Sequence, residues 1–327
     1  MNKRLLTIAI AAGLSAPFAL QAAEVELFGV AHVSINQYDV GPTDGELDLT
    51  SNKSNFGFKG SHDLGDGLSV IVKATWQVDY TDNTATGPDT DLLVYERYAG
   101  FKGGFGTVKF GTVESAYKQT GSLIDPFWST RAEMRSTGLM SNALMNGIGV
   151  HRSRLTNAVQ YFSEDMNGFS VVANYTMAGD AAGENNIGVS LRYKNAGLQA
   201  FVDYVAIDDV DAPAAGVVAG ESATKVGGAY TMGGTTVALA MEMTEDLVGE
   251  DYTQFSVKQK VTEKGTVALS YGQAEPTAAN SDVSGWVLGY FHQFDKSAKV
   301  YAAYGDQSND DETTEISGFS LGMVYKF

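Results

Sequence analysis

Cysteine is absent from all 327 residues, so no disulfide can brace this chain. Histidine is nearly absent as well: His32, His62, His151 and His292 are the whole supply. None of the four falls in an H-E-x-x-H or two-histidine metal spacing, and there is no Walker or haem-attachment signal. The glycines of "GFKGGFG" lack Rossmann spacing and a following helix, and read as a hairpin turn. No metal, cofactor or catalytic residue is expected, and the protein is not read as an enzyme. A Ser–His hydrolase assembled across strands is the residual enzymatic alternative.

Clustered cations are missing too. The chain carries a net charge of −17, which argues against nucleic acid as a partner because phosphate binding needs grouped positive charge. Long apolar runs are also lacking: beyond residue 23 nothing approaches the 18 residues that would signal a spanning helix. The one apolar run, Leu5 to Leu20, is broken by Pro17, preceded by Lys3 and Arg4 and closed by Ala22 and Ala23. That is the pattern of a secretory signal peptide over residues 1–22, with cleavage after Ala22 or Ala23. Export would leave a mature domain of residues 23–327 at net charge −19, with its stability drawn from something other than disulfides.

What the sequence does contain is period two. Leu68, Val70, Val72, Ala74, Trp76, Val78 and Tyr80 alternate with Ser69, Lys73, Thr75, Gln77 and Asp79. Sixteen such segments begin near residues 25, 54, 68, 92, 105, 154, 168, 187, 197, 224, 235, 252, 265, 283, 299 and 316. Period two puts each apolar set on one face of a strand. Short turns rich in Gly and Asn, such as Asn195–Gly197 and Gly233–Gly234, alternate with longer polar links such as 37–53, 81–91 and 306–315. Segments of nine or more residues match tilted membrane strands better than those of a β-sandwich. Tyr80, Phe169, Tyr175, Tyr193, Tyr204, Tyr230, Tyr271, Tyr290 and Phe327 sit near the ends of the apolar faces, where interfacial girdles would need them. The expected fold is all-β: a 16-stranded antiparallel transmembrane β-barrel.

With "EVELFGVAHVSI", "SNFGFKGSHDLGDGLSVIVKA", "AGFKGGFGTVKFG", "RLTNAVQYFS", "GFSVVANYT", "YFHQFDKSAKVYAAYGDQSN" and the ending "LGMVYKF", the chain resembles the Gram-negative general porins. The resemblance implies a homotrimer in the outer membrane, with passive diffusion of ions and small hydrophilic solutes. It also implies contact with lipid and lipopolysaccharide, and a third loop folded into the lumen. The link of about 114–153 is by far the longest and holds Leu123, Ile124, Phe127, Trp128, Leu139 and Met140, too apolar to lie in water. The alternatives are a solute-selective channel and a non-conducting structural or adhesive barrel.

Charge on a lipid face is costly, so the polar faces are expected to line the pore. Lys73, Arg97, Arg154 and Arg192 are the candidate basic wall, and Asp125 and Glu133 the opposing carboxylates of the inserted loop. Together they would set a transverse field selecting hydrated, dipolar solutes. Thr112 and Gln160 stand where the family often has arginine, and with the acidic outer links this leans the expectation toward weak cation preference. In the last strand Phe319, Leu321, Met323 and Tyr325 are expected to face lipid. The final Phe327 resembles the signal read by the outer-membrane assembly machinery.

Overall fold

The computed structural model describes residues 24–81, 92–141, 154–177, 185–207, 218, 220–276, 281–310 and 315–327. The expected signal peptide and the later part of the long link, 142–153, lie outside them. One antiparallel sheet runs through the whole molecule and closes on itself. Its staves are β1 (Glu24–Val40), β2 (Asp48–Ser51 and Asn55–Gly65), β3 (Leu68–Val78), β4 (Leu92–Gly103), β5 (Gly106–Val113) and β6 (Leu155–Phe162). Next come β7 (Phe169–Thr176), β8 (Asn186–Asn195), β9 (Leu198–Ile207), β10 (Ser222–Met232) and β11 (Thr235–Met243). The last are β12 (Glu250–Lys260), β13 (Gly265–Pro276), β14 (Val283–Gln293), β15 (Ala298–Asn309) and β16 (Glu315–Lys326). Each stave pairs with its sequence neighbour, and β16 returns to β1 from Val30↔Lys326 to Val40↔Ile316. Closure leaves no open edge, which is the condition for a sheet to cross a membrane.

The expected sixteen staves are present among the described residues, but two links are shorter than expected, the 306–315 link because β15 runs on to Asn309. The 37–53 link is shorter than its composition suggests, because β1 continues to Val40 and β2 starts at Asp48. β2 is broken at Asn52–Ser54, where Lys53 takes φ 56. Side chains bridge the break: Asn52 Nδ2 donates to Ser34 Oγ (2.7 Å), and Ser54 Oγ donates to the His32 carbonyl (2.9 Å). Polar residues in a sheet that stays hydrogen-bonded by side chains are hard to tell from a loop by pattern alone.

Inside and outside are exchanged relative to a water-soluble protein. Leu191, Val202, Leu239, Met241, Leu269, Leu288, Leu321 and Met323 are exposed on the outer face. Ser190, Asp203, Lys225, Glu242, Gln254, Ser256, Ser270 and Ser320 are buried on the inner one. So continuous an apolar surface far exceeds what a soluble monomer shows, and it is what lipid tails require. Phe101, Phe169, Tyr230, Tyr290 and Phe327 ring the short-turn end, while Tyr175, Tyr204, Trp286 and Tyr304 ring the other. His292 joins the first ring, its Nδ1 3.2 Å from the Tyr290 hydroxyl and its ring 4.9 Å from that of Phe294.

In β16, Leu321, Met323 and Tyr325 are exposed on the outer face as expected, with Phe319 half-buried beside them. Phe327 closes the cylinder through two backbone bonds: the Gly29 amide donates to its carbonyl (2.9 Å) and its own amide donates to Gly29 (3.1 Å). Its ring lies over Gly29, where a Cβ would sit 2.3 Å from Phe327 Cζ.

Candidate functional site

The main apolar core lies inside the barrel, between the long link and the inner wall. Tyr117, Ile124, Phe127, Met134, Leu139 and Met140 of the link pack against Phe201, Ala238, Ala240, Ala268, Val287 and Ala303. Among its described residues, which end at Ser141, the link folds as three single-turn helices, α1 (Ala116–Gln119), α2 (Gly121–Ile124) and α3 (Met134–Thr137). Ser115 caps α1 by accepting from the Lys118 amide (3.1 Å), and Gly138 ends α3 at φ 80. The wall is hollowed to receive the loop: a Cβ on Gly289 would stand 2.6 Å from the Phe127 ring, and one on Gly272 would stand 2.7 Å from Leu139 Cβ.

Buried polar groups fix the loop's position. Lys225 Nζ donates to the Tyr117 carbonyl (2.6 Å) and pairs with Asp203 (3.3 Å), both side chains being 0% exposed. Thr120 also donates to Asp203. The Tyr117 hydroxyl donates to Glu242 Oε2 (2.7 Å), while the Ser141 amide (3.3 Å) and Gln254 (2.9 Å) reach Glu242 Oε1. Burial and the neighbouring Glu242 raise the Tyr117 phenol well above its ordinary range, so it stays a donor. One wall carboxylate therefore holds both ends of the described loop. Ser256 donates to the Ile124 carbonyl further along.

Opposite the loop, β2 to β6 present Lys53, Lys73, Tyr95, Glu96, Lys109 and Arg154. A bulge organises this wall. Ala74 faces Arg97 and Trp76 faces Val94, so Tyr95 and Glu96 share Thr75 as their opposite number. Thr75 Oγ1 donates to the Glu96 carbonyl (2.8 Å) and accepts from the Glu96 amide (3.0 Å). The extra residue turns both Tyr95 and Glu96 inward. Glu96 then pairs with Lys73, and the Arg154 guanidinium stacks 4.0 Å from the Tyr95 ring centre and 3.4 Å from Glu114.

This geometry corrects several site expectations. Arg97 is out of phase with the inward Tyr98 and lies exposed on the outer face, opposite Ala74 and Thr112; the bulge beside it is invisible to a strict two-residue count. Asp125 is buried, accepting from the Phe127 (2.9 Å) and Met134 (2.8 Å) amides, and shapes the loop instead of facing the lumen. Burial pushes its carboxyl up to about 7, although those two amides pull the other way. Glu133 is buried too, both its oxygens accepting from Arg135 Nη2 (2.7 and 2.8 Å), with further bonds from the Ser129 amide (2.7 Å) and Lys53 Nζ (2.8 Å). Arg192 bonds Ser190 (2.8 Å) and the Ala116 carbonyl (3.1 Å), supporting α1 from the short-turn side. Lys73 and Arg154 do stand on the inner wall.

Pattern reading gives no role to Lys53, Lys109, Asp203, Lys225 or Glu242. The available signal was an ionisable residue at an inward position of a stave otherwise lined by Ala, Gly and Ser, as in "SATKVGGA" and "TTVALAMEM".

A closed cylinder with an apolar aromatic-rimmed exterior and a polar lumen defines an outer-membrane β-barrel. A family model described as "Gram-negative porin" matches residues 6–312. The chain belongs to the Gram-negative porin family, and it is an outer-membrane protein. The major outer membrane protein P.IB of Neisseria lactamica is 26% identical over 358 aligned positions, covering 100% of both chains. P.IB of Neisseria meningitidis serogroup B is 33% identical over 218 positions, or 62% of this chain and 58% of that protein. Against a P.IB of Neisseria gonorrhoeae the match spans 57% of the relative's length. Among solved structures, the anion-selective porin of Comamonas acidovorans superposes with TM-score 0.77 at 19% identity, covering 94% of this chain and 100% of that one. The Vibrio cholerae outer membrane protein OmpT in its trimer form gives 0.66 at 19%, covering 94% and 100%. These structural likenesses speak to the fold.

Proposed function

We propose that the protein is a water-filled channel for passive diffusion of ions and small hydrophilic solutes, narrowed by the inserted loop. The observation that carries this reading is the split lumen. The loop is bound tightly to β9–β15, while β3–β6 carry a charged wall of Lys73, Glu96, Lys109 and Arg154, with Glu114 at its edge, and the Lys53–Glu133 pair joins the two surfaces at one point. A polar gap between two fixed surfaces passes hydrated solutes and needs no cofactor or chemical step. A channel, not an enzyme, is the activity such a lumen supports.

Arg97 favours a homotrimer. A cation midway along a stave on the lipid face costs several kcal/mol, roughly 2–4 at the bilayer centre, and a subunit contact over β2–β5 removes that cost. Lipid and lipopolysaccharide would cover the remaining outer face, a cleaved 1–22 signal would export the chain, and Phe327 would present the terminal aromatic to the assembly machinery.

The loop carboxylates separate in a simple test. Glu133→Gln leaves Lys53 and Arg135 without their anion and is expected to shift the reversal potential in a salt gradient toward anions. Asp125→Asn, at a carboxylate bonded only to the Phe127 and Met134 amides of the loop, is expected to leave the reversal potential unchanged. Equal shifts in the two variants would contradict the placement of Glu133 as the loop's link to the wall cations.

A further inference from the structure

Beneath residues 132–139 of the loop, the inner wall is cut back to glycine on three neighbouring staves. Tyr38 on β1 faces Gly318 on β16, which in turn faces Gly305 on β15. The phenol ring lies across this gap, since a Cβ on Gly318 would stand 2.7 Å from Tyr38 Cδ1. Two residues beyond Gly305 on the same inward face, Gln307 meets Gly285 of β14. A Cβ there would stand 2.5 Å from Gln307 Cβ and 2.9 Å from Leu139 Cδ1 of the loop. Tyr38 and Gln307 therefore line one small cavity, bordered by Ala132, Thr137 and Leu139 on the loop side. Its volume is about 10 Å³.

Tyr38 Oη and Gln307 Oε1 are both buried, and neither has a hydrogen-bond partner among the described residues. Gln307 as a whole is only 7% exposed. Leaving a buried polar atom unpaired is costly, and two such atoms on one cavity call for a shared partner. Thr137 supplies a third group: its hydroxyl donates to the Met134 carbonyl (3.0 Å), which leaves its lone pairs to accept. The inward lining is uncharged, because Asp306 is out of phase with Gln307 and exposed on the outer face. A space of this size fits one water and nothing larger. We propose that the cavity binds a single structural water that clips the loop to the wall. Tyr38 donates to it, and it donates to Gln307 Oε1 and Thr137 Oγ1. The clip ties residues 132–139 to β1 and β15, away from the Lys225 and Glu242 fastenings on β10 and β11. Arg131 stands 5.6 Å from the Tyr38 ring centre, so the same phenol is a positioning residue for that exposed loop cation.

The clip does not depend on conduction, so its test stands apart from that of the channel. A crystal structure of the purified protein, which needs no variant to fold, should show one ordered water at about 2.7–3.2 Å from both Tyr38 Oη and Gln307 Oε1. In solution, Tyr38→Phe and Gln307→Met should each raise the rate of protease cleavage within residues 114–141 by about fivefold, the effect of one hydrogen bond. The double variant should be cut no faster than either single one, because each change breaks the same bridge. Groups acting independently would multiply their effects instead. A dry cavity, a direct Tyr38–Gln307 bond, unchanged cleavage in the single variants or multiplied rates in the double one would overturn the clip. Folded protein that carries no current would overturn the channel reading and leave the clip to be judged by these two measurements.

Discussion

Lys225→Met is expected to free the inserted loop while leaving the barrel closed. The ammonium it removes is wholly buried, bonded to the Tyr117 carbonyl and paired with Asp203. Breaking one partner of such a pair costs about 3–5 kcal/mol, mostly because the remaining charge is left uncompensated. At about 1.4 kcal/mol per factor of ten, the docked state of the loop loses two orders of magnitude or more in weight. The staves do not share this cost, because their backbone ladders do not pass through Lys225's side chain. Channels of the variant should therefore flicker between conductance levels, and a protease should cut within 114–141, while the heat-induced loss of the barrel stays close to that of the parent. Adding Asp203→Asn, which removes the stranded charge, should quieten the flicker in part. Glu242→Ala should act in the same direction, since it severs Tyr117 and Ser141 together. Quiet channels and an uncut loop in Lys225→Met would show that the apolar contacts alone hold it.

Deleting Phe327 is expected to cut the yield of folded barrel by about tenfold, while the channels that do form conduct normally. The residue supplies two of the backbone bonds that join β16 to β1, and its ring covers Gly29. In lipid an unpaired amide or carbonyl costs several kcal/mol, so an open seam is far worse there than at a frayed end in water. Conductance is spared because the ring points outward. Gly29→Ala separates the ring from the backbone: its Cβ would collide with the ring but not with the main-chain pair. It should lower yield less than the deletion does. A deletion variant that folds at parental yield would show that the seam closes without its last residue.

The barrel was legible in the sequence because its cause is periodic. A membrane strand must present lipid on one face and water on the other, and that writes a two-residue alternation into every stave. The pattern fails where the backbone departs from period two. The Tyr95–Glu96 bulge moves Arg97 to the outer face, and the break at Asn52–Ser54 brings Lys53 into the lumen. The loop's entry into the barrel was legible from its apolar content, but its fastening was not. Asp203, Lys225, Glu242 and Tyr117 come from β9, β10, β11 and the loop itself, far apart in sequence. The loop carboxylates were misjudged for a related reason. Asp125 and Glu133 look like free charges in a string of letters, yet Asp125 is spent on two amides of the loop and Glu133 on Arg135, the Ser129 amide and the distant Lys53.

The central claim is an open, polar passage between the docked loop and the wall of β3–β6. Reconstitution of purified protein in a planar bilayer, with current recorded as single molecules insert, tests it most directly. The account predicts stepwise ohmic conductance in multi-level events, three levels for a trimer, with a measurable reversal potential in a salt gradient. Folded protein that inserts into the bilayer and carries no current would contradict it.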